Sequence, residues 1–526
     1  MPVKPPKKIK MSKAQLNALK ERIRQRKLED SDWEAVEAMV DTVDCLSQVI
    51  EEKNASIGRL CKYLIGAPTE TAKNVLKNKE DGQEKQPPKE KPPAKKQKGH
   101  GRRSASEYTG GTKVTIEHPT LKVGDLCPGC EKGKVYELSM PAVCVYIQGQ
   151  APLKSTVYER MRLRCNLCGQ IYVPELPPEV AEKKYDESAA AIVAVLKYGC
   201  GMPFNRLEKL QENLNNPVPA STQWDIVNAA ALPLAPVYDA LITFAAQGDL
   251  IHNDDTTMKV LSFLKQQDPD STRKGIFTTG IVSKWHDHLI ALFMTGSNHA
   301  GENLNELLKR RATGLSPPIQ MCDGASRNKS EDFEAIMANC LAHARRQFVE
   351  IINSFPDECA YMIEGIGKVY HHDAIAREDK LSADERLAYH QQQSAPIIAE
   401  LEAWCRKQID EKIVEPNSGL GKAINYMLNR WEKLTRFLQI PGAPLDNNIC
   451  ERALKYAICH RKNALFYKTQ RGAYVGDLFM SIIHTCQLSG VNPLEYINWL
   501  LKNEKLLSKS PESYMPWNYD QSLSPS

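Results

Sequence analysis

Apolar residues recur every seven positions from Val36 through Val43, Ile50 and Ile57 to Leu64. Met39, Leu46 and Leu60 form a second row that only Lys53 interrupts. Two such rows predict a coiled coil, because a heptad seam needs a facing helix of its own kind. The expected consequence is a homo-oligomer held through this helix; an amphipathic helix packed on the protein's own core is the alternative. From Thr71 to Gly111 apolar residues almost vanish, and Lys, Pro, Gln and Gly dominate. Such a segment cannot bury enough surface to offset its ordering entropy and reads as a flexible basic linker.

Patterning resumes near Lys113. Short β-like runs, VCVYIQ and TVYERMRLRC, lie between two Cys-x-x-Cys pairs. Glu187 to Leu250 reads helical, in three stretches separated by Gly-Met-Pro and Asn-Asn-Pro. Short helices joined by tight turns suit a helix-turn-helix reader of DNA, and equally a plain helical spacer. After Gly248, LIHNDDTTMKVLSFL gives an apolar entry, two Asp and a strand-like exit. KGIFTTGIVSKW and HLIALFMT read as strands, NHAGENLNELLKRR as a helix, and PIQMCDGAS as a short buried strand ending in Asp323. This succession predicts an α/β domain with a mixed sheet.

Composition narrows the class. A chain of 526 residues is too long for one ordinary core and implies about three or four modules. The formal charge of +5 is modest, but KPPKKIK at the start and KPPAKKQKGHGRR from Lys91 concentrate cations in the N-terminal third. Such clusters suit polyanionic partners through counterion release, or are solvated tails. No uninterrupted apolar run approaches the ~20 residues that span a bilayer, and no apolar segment follows the basic N-terminus. Neither a membrane nor a secretory route is therefore expected. Most of the fifteen Cys stand singly in apolar patterns, as Cys340, Cys450 and Cys486 do, in the manner of reduced cytoplasmic thiols.

The exception is the tetrad Cys127 and Cys130 (CPGC) with Cys165 and Cys168 (CNLC). Two such pairs can close a tetrahedral thiolate site around a structural Zn2+, and their wide separation suits a β-hairpin ribbon. Asp254 or Asp255, and Asp323, are acidic residues at strand ends, where open sheets place functional groups. Phosphodiester chemistry gives them a role, since carboxylates can hold two divalent ions against the attacking and leaving oxygens. Mg2+ keeps waters of its own, so two or three carboxylates suffice. Glu451 is the candidate third ligand. It borders the apolar stripe of Cys450, Ala453, Leu454 and Ala457 and shares the polar side with Arg452 and Lys455. Asn448 and Glu451 also have capping-box spacing, which would make the Glu a local structural device.

Four motifs go further: NDDTTMKV around Asp254, QMCDG around Asp323, CLAHARRQF from Cys340, and DNNICERALK from Asp446, the last extended by RKNALF from Arg461. With these motifs in this order, the chain resembles the DDE transposases of the bacterial insertion-sequence family sixty-six along nearly its whole length. The resemblance implies a zipper-like N-terminal helix, a zinc-binding segment, a helical middle and an RNase H-like catalytic domain. It implies Asp254, Asp323 and Glu451 as a triad holding two Mg2+ (or Mn2+) ions. Water-driven cleavage at the element ends would precede attack of the freed 3′-hydroxyl on target DNA. Arg452, Lys455, Arg461 and Lys462 would lie along DNA phosphates. His343, Arg345 and Arg346 match a basic helix motif, with DNA contact and a helix-face cluster as its two readings.

The implied partners are double-stranded DNA of the element ends and target, and accessory proteins of the same element, in the bacterial cytoplasm at the nucleoid. Two departures stand out. The family has Glu-Thr after its first catalytic Asp, whereas Asp255, Thr256 and Thr257 follow here, leaving Asp255 as the alternative to Asp254. After Asp323, GASRN replaces the usual aromatic.

The expected fold is multidomain α/β. Residues 1–70 hold the basic N-terminus and coiled-coil helix, 71–112 the linker, and 113–178 the zinc ribbon. Residues 179–247 form a helical, candidate DNA-binding domain, and 248–345 the first part of an RNase H-like core. A helical insertion at 346–443 precedes the core's C-terminal helices with Glu451, 444–505, and a tail, 506–526. A non-catalytic DNA-binding protein of the same descent and a metal-dependent nuclease without joining activity compete with the transposase. The presence of all three carboxylates favours the enzyme.

Overall fold

The computed structural model describes residues 184–266 and 275–519 throughout, and parts of 13–37 and 115–178. Two compact units divide the chain, 1–85 and 86–526. In the first, a helix spans Lys13–Arg24, and the Arg22 guanidinium donates two hydrogen bonds to Asp32, at 2.8 and 2.7 Å. The heptad seam beyond Val36 and the basic linker lie outside the described residues.

In the second unit, the described parts of the Cys-pair segment are two small antiparallel ladders. Leu126 bridges Lys134 across the first pair, and strands Leu163–Arg164 and Ile171–Tyr172 pair across the second. Helices α1 (Glu187–Ala194), α2 (Phe204–Asn213) and α3 (Ala220–Ala246) follow. Asp186 starts α1 by accepting the Ala189 N–H at 2.9 Å. By length and composition α3 could cross a membrane, although its polar residues hide this from a search for an unbroken apolar run. Half of its most apolar window is buried, with Ala230, Leu234, Val237 and Leu241 in the core it shares with the sheet.

The sheet has five strands: β1 (Leu250–Met258), β2 (Ile276–Trp285), β3 (His288–Gly296), β4 (Ile319–Cys322) and β5 (Ile336–Asn339). Their spatial order is β3-β2-β1-β4-β5. The β1–β2 and β2–β3 pairs are antiparallel, whereas β1–β4 and β4–β5 are parallel. The mixed sheet expected from the sequence is therefore present, with helix α4 (Ala300–Leu308) after β3. The strand-like exit after Met258 is instead a short helix, Leu261–Gln266. Met258 already faces Ile276, the first residue of β2, and past it the pairing is carried by a single parallel bridge, Val260 to Tyr467, before the helix begins.

Helices α5 (Leu341–Ile351), α6 (Pro356–Glu378), α7 (Ala383–Gln393), α8 (Ala395–Asp410) and α9 (Gly419–Leu428) come next. Then α10 (Asn448–Ala464), α11 (Gln470–Leu488) and α12 (Pro493–Lys502) return to the sheet. β3 is an edge strand, and its outward N–H groups need partners. Ala291, Phe293 and Thr295 donate to Thr485 Oγ1, Ser481 Oγ and Asp477 Oδ2, at 3.1, 2.9 and 2.7 Å. These acceptors recur every fourth residue of α11, so one face of a buried helix closes the open edge.

Candidate active site

Strand register sets the first relation. β1 and β4 pair His252 with Met321, so Asp254 and Asp323, each two residues farther on, come level where that pairing ends. Asn328 joins them: its side-chain N–H group donates to Asp323 Oδ1 at 2.9 Å and to Asp254 Oδ1 at 3.1 Å. The Asn328 carbonyl in turn accepts from Asn253 Nδ2 and Gln320 Nε2, at 2.7 and 2.6 Å. A buried amide network thus fixes the group that holds both carboxylates. Among the described residues, neither Asp254 nor Asp323 has a cationic partner. Burial, and then the charge of Asp323, pushes Asp254 up to about 7.

Alternation along β1 separates the doubled aspartates. Asp255 Oδ2 lies 2.9 Å from His299 Nδ1, and Oδ1 lies 3.4 Å from Arg327 Nη2. Its side chain is 1% exposed. His299 is itself fixed at the start of α4, with its ring 4.2 Å from that of Phe277. Asp255 is therefore the ion-paired aspartate, and Asp254 the one held by Asn328 without a cation.

The start of α10 is built by Asn447, which is fully buried. Its Nδ2 donates to the Asn253 carbonyl at 3.2 Å, its Oδ1 lies 3.1 Å from His252 Nδ1, and its N–H donates to Cys340 Sγ at 3.3 Å. Asn448 turns back to Asp446, donating its N–H at 3.0 Å and its side-chain amide at 2.8 Å. The capping box suggested by Asn448 and Glu451 does not form. Glu451 Oε1 is buried without a hydrogen-bond partner and lies 3.6 Å from His343 Nδ1. One residue earlier, Cys450 Sγ donates to the carbonyl of Gly280, which faces Asp254 across β2. Burial and then the charges of Asp254 and Glu451 raise the Cys450 thiol. A Cβ on Gly280 would come within 2.9 Å of Leu454, so α10 approaches the sheet this closely only over glycine.

Two donor sets result. Asp254 and Asp323 offer hard oxygen ligands with no internal counter-charge, which fits a divalent cation such as Mg2+. Glu451, His343 and Cys340 bring one ligand atom each to within 4.8 Å of one another. Burial pushes Cys340 up to about 12, which keeps it a thiol and weakens it as a ligand.

The basic residues fall into different settings. Arg452, Lys455 and Lys462 are exposed on α10. Arg461 instead donates to Thr256 Oγ1 at 3.0 Å and Thr257 Oγ1 at 2.6 Å, fastening α10 to β1. Arg345 and Arg346 are half-buried on α5, near His343. In the Cys segment, the Gly133 N–H donates to Cys130 Sγ at 3.5 Å. The Lys132 and Gly133 amides, and then Cys127, hold the Cys130 thiol below its ordinary value, as a metal-binding thiolate requires. Cys168 is exposed, and Cys165 lies outside the described residues.

Fold and site together define a mixed α/β protein with acidic groups gathered at one end of its sheet. The profile of the family described as "Transposase IS66 family" matches residues 183–475, more than half of the 526 residues, and the chain belongs to that family. Membership makes it a transposase: a protein of DNA transposition that acts on and binds DNA, in a class that generally uses divalent metals. The chain is also similar to the uncharacterized protein y4jD of Sinorhizobium fredii (strain NBRC 101917 / NGR234), 26% identical over 388 residues, covering 68% of this chain and 71% of the relative. A second relative from that strain, the uncharacterized protein y4hP, is 24% identical over 408 residues, covering 73% and 70%.

The sequence suggests that the Asn447–Asn448 pair shapes the start of α10; sequence reasoning missed Asn328, the partners of Asn447 on β1, and the pairing of Asp255 with His299 and Arg327. Asn328 had one available signal, an Asn five residues after a candidate ligand in an otherwise loop-like stretch.

Proposed function

We propose that this transposase cuts DNA at the ends of an insertion sequence and joins the freed 3′ ends to target DNA, using Asp254, Asp323 and Glu451. The observation that carries the reading is the Asp254–Asp323 pair, level on adjoining strands and sharing the Asn328 amide. Two half-buried carboxylates sharing one amide are unfavourable together unless a cation is added. Two Mg2+ or Mn2+ ions at these ligands would supply charge stabilisation of the attacking and leaving oxygens.

The chain's own residues do the positioning. Asn328 orients both carboxylates, and Asn447 anchors α10 on β1 so that Glu451 is carried at the same end of the sheet. The ion pairing of Asp255 supports Asp254 as the first ligand. Three antiparallel strands continued by two parallel ones support an RNase H-like core, 248–345 with 444–505, interrupted by the helical insertion at 346–443. Arg452, Lys455 and Lys462 recur at spacings that put them on one side of α10, which supports a row of phosphate contacts. Arg461 is occupied at β1 and fits an anchoring role better. His343, facing Glu451, fits a role at the site, with Arg345 and Arg346 beside it toward DNA. A structural Zn2+ held by Cys127, Cys130, Cys165 and Cys168, and self-association through the heptad helix, complete the reading.

The test is direct. Purified full-length protein is incubated with Mg2+ or Mn2+ and DNA carrying the element ends. Cleaved and joined products are expected, with loss of both in Asp323→Asn and Glu451→Gln while binding persists. Products unchanged in both variants would remove the triad. Binding without cleavage under either metal would favour a non-catalytic protein, and cleavage without joining a nuclease.

A further inference from the structure

We propose that the edge of the helical insertion and the loop after Asp323 together form a phosphate cradle for the DNA strand entering the acidic site. The proposal rests on the transposase reading and extends it to residues that no motif marked. Tyr426, on α9, donates its hydroxyl to the Asp323 carbonyl at 3.1 Å, so the insertion touches the backbone of the acidic residue itself. The Arg430 guanidinium stacks over the Tyr426 ring, 4.1 Å from its centroid. A Cβ on Gly324 would come within 3.1 Å of Arg430 Nε, and the φ of +86° at Gly324 already favours glycine. The cation therefore presses against bare backbone one residue beyond Asp323.

Lys433, three residues after Arg430, meets Lys329 from the loop that carries Asn328. Partial burial, followed by the charge of Lys329, holds Lys433 below its ordinary value. Two ammonium groups brought together repel each other, and among the described residues neither forms an ion pair with a carboxylate. Glu432, next to Lys433, lies 2.9 Å from the Arg436 guanidinium. Arg327, on the same loop as Lys329, leaves half of its side chain exposed.

Cations thus stand on two sides of Asp323, one set from the loop and one from the insertion. An open cleft of about 720 Å³, lined in part by Arg430, Trp431 and Lys433, continues from them along α8. Arg327 is paired with Asp255, but among the described residues Lys329, Arg430 and Lys433 lack an anion and border carboxylates without a cation, which matches a ligand that carries phosphates on both sides of a metal-bound one. A DNA strand is such a ligand.

The experiment measures binding of full-length protein to a labelled duplex of the element end, without divalent metal, across a series of KCl concentrations. Lys329→Gln and Lys433→Gln keep most of each aliphatic stem. Each should reduce the slope of log affinity against log salt by about one, and the double variant by about two. Lys433→Arg should restore the parental slope, and Arg430→Gln should lower it by about one. A double variant with parental slope and affinity overturns the cradle, as does a parent that does not bind DNA. If the parent binds without cleaving and the Gln variants still flatten the slope, the cradle stands and the transposition reading fails. If the parent cuts and joins while the variants keep its slope, the reverse holds.

Discussion

Two aspartates in this molecule, Asp373 buried and Asp254 half-buried, have opposite electrostatics. In the insertion, Asp373 Oδ1 accepts from Arg386 Nη2 at 2.6 Å, Arg377 Nη2 lies 2.8 Å from Oδ2, and His390 Nε2 lies 3.3 Å from Oδ1. Burial alone would raise this carboxyl, but His390, Arg386 and Arg377 outweigh it and hold Asp373 at about 2. Asp254, at the sheet end, has another carboxylate for its neighbour and stands at about 7. A charge answered within the chain ties helices together. One left unanswered burdens the fold, and where two such carboxylates stand together at a sheet end that burden favours a bound cation.

The largest expected effects come from removing each carboxylate in turn. Asp323→Asn should lower DNA cleavage by roughly 10²–10³-fold or more, while the fold is unharmed because a repulsion has gone. A melting temperature lowered by several degrees would instead make Asp323 a structural residue. Asp373→Ala should do the opposite, costing about 3–5 kcal/mol by leaving the largely enclosed Arg386 guanidinium uncompensated. An unchanged urea midpoint for the insertion would contradict that. The pH dependence has a definite sign. The folded value of Asp373 is about 2, below its ordinary 3.8, so its contribution is present above pH 3.8 and is lost as pH falls toward 2.

Asn328→Ala comes next in size. It removes hydrogen bonds to two carboxylates, each worth about 1.5–3 kcal/mol, and should weaken cleavage more than it weakens DNA binding. Equal losses in both would show that Asn328 acts through the general fold.

How much of this contrast the sequence reveals depends on the range of the forces involved. β1, β2, β3 and β4 are legible because their apolar and β-branched runs are local signals. β5 is not, since EAIMANC is short and its pairing depends on β4 lying beside it. Asp254, Asp323 and Glu451 can be marked as candidates from residue type and motif. Which Asp of the doublet stands without a cation requires His299 and Arg327, which pair with Asp255 from distant positions. The capping-box spacing at Asn448 misleads for a similar reason. Asn447 finds partners on β1, tertiary contacts that outweigh the local pattern.

The smallest effect separates the two aspartates most cleanly, through metal and pH together. The folded value of Asp254, about 7, exceeds its ordinary 3.8. Its contribution to stability is therefore present below pH 3.8 and is lost as pH rises through 7. Asp477, also raised to about 7 by burial against β3, titrates in the same window, so a metal-free melt reports both groups. Mg2+ distinguishes them, because Asp254 and Asp323 belong to the proposed metal site whereas both carboxylate oxygens of Asp477 are taken up by Thr295. The Mg2+-induced rise in melting temperature should be larger at pH 8 than at pH 6, reflecting a stabilisation of about 1.4 kcal/mol at ten times Kd. In Asp323→Asn that metal-dependent difference should vanish while the metal-free decline due to Asp477 remains. A Mg2+ shift equal at both pH values would mean that the ion binds elsewhere, and the unanswered charge of Asp254 would then need another explanation.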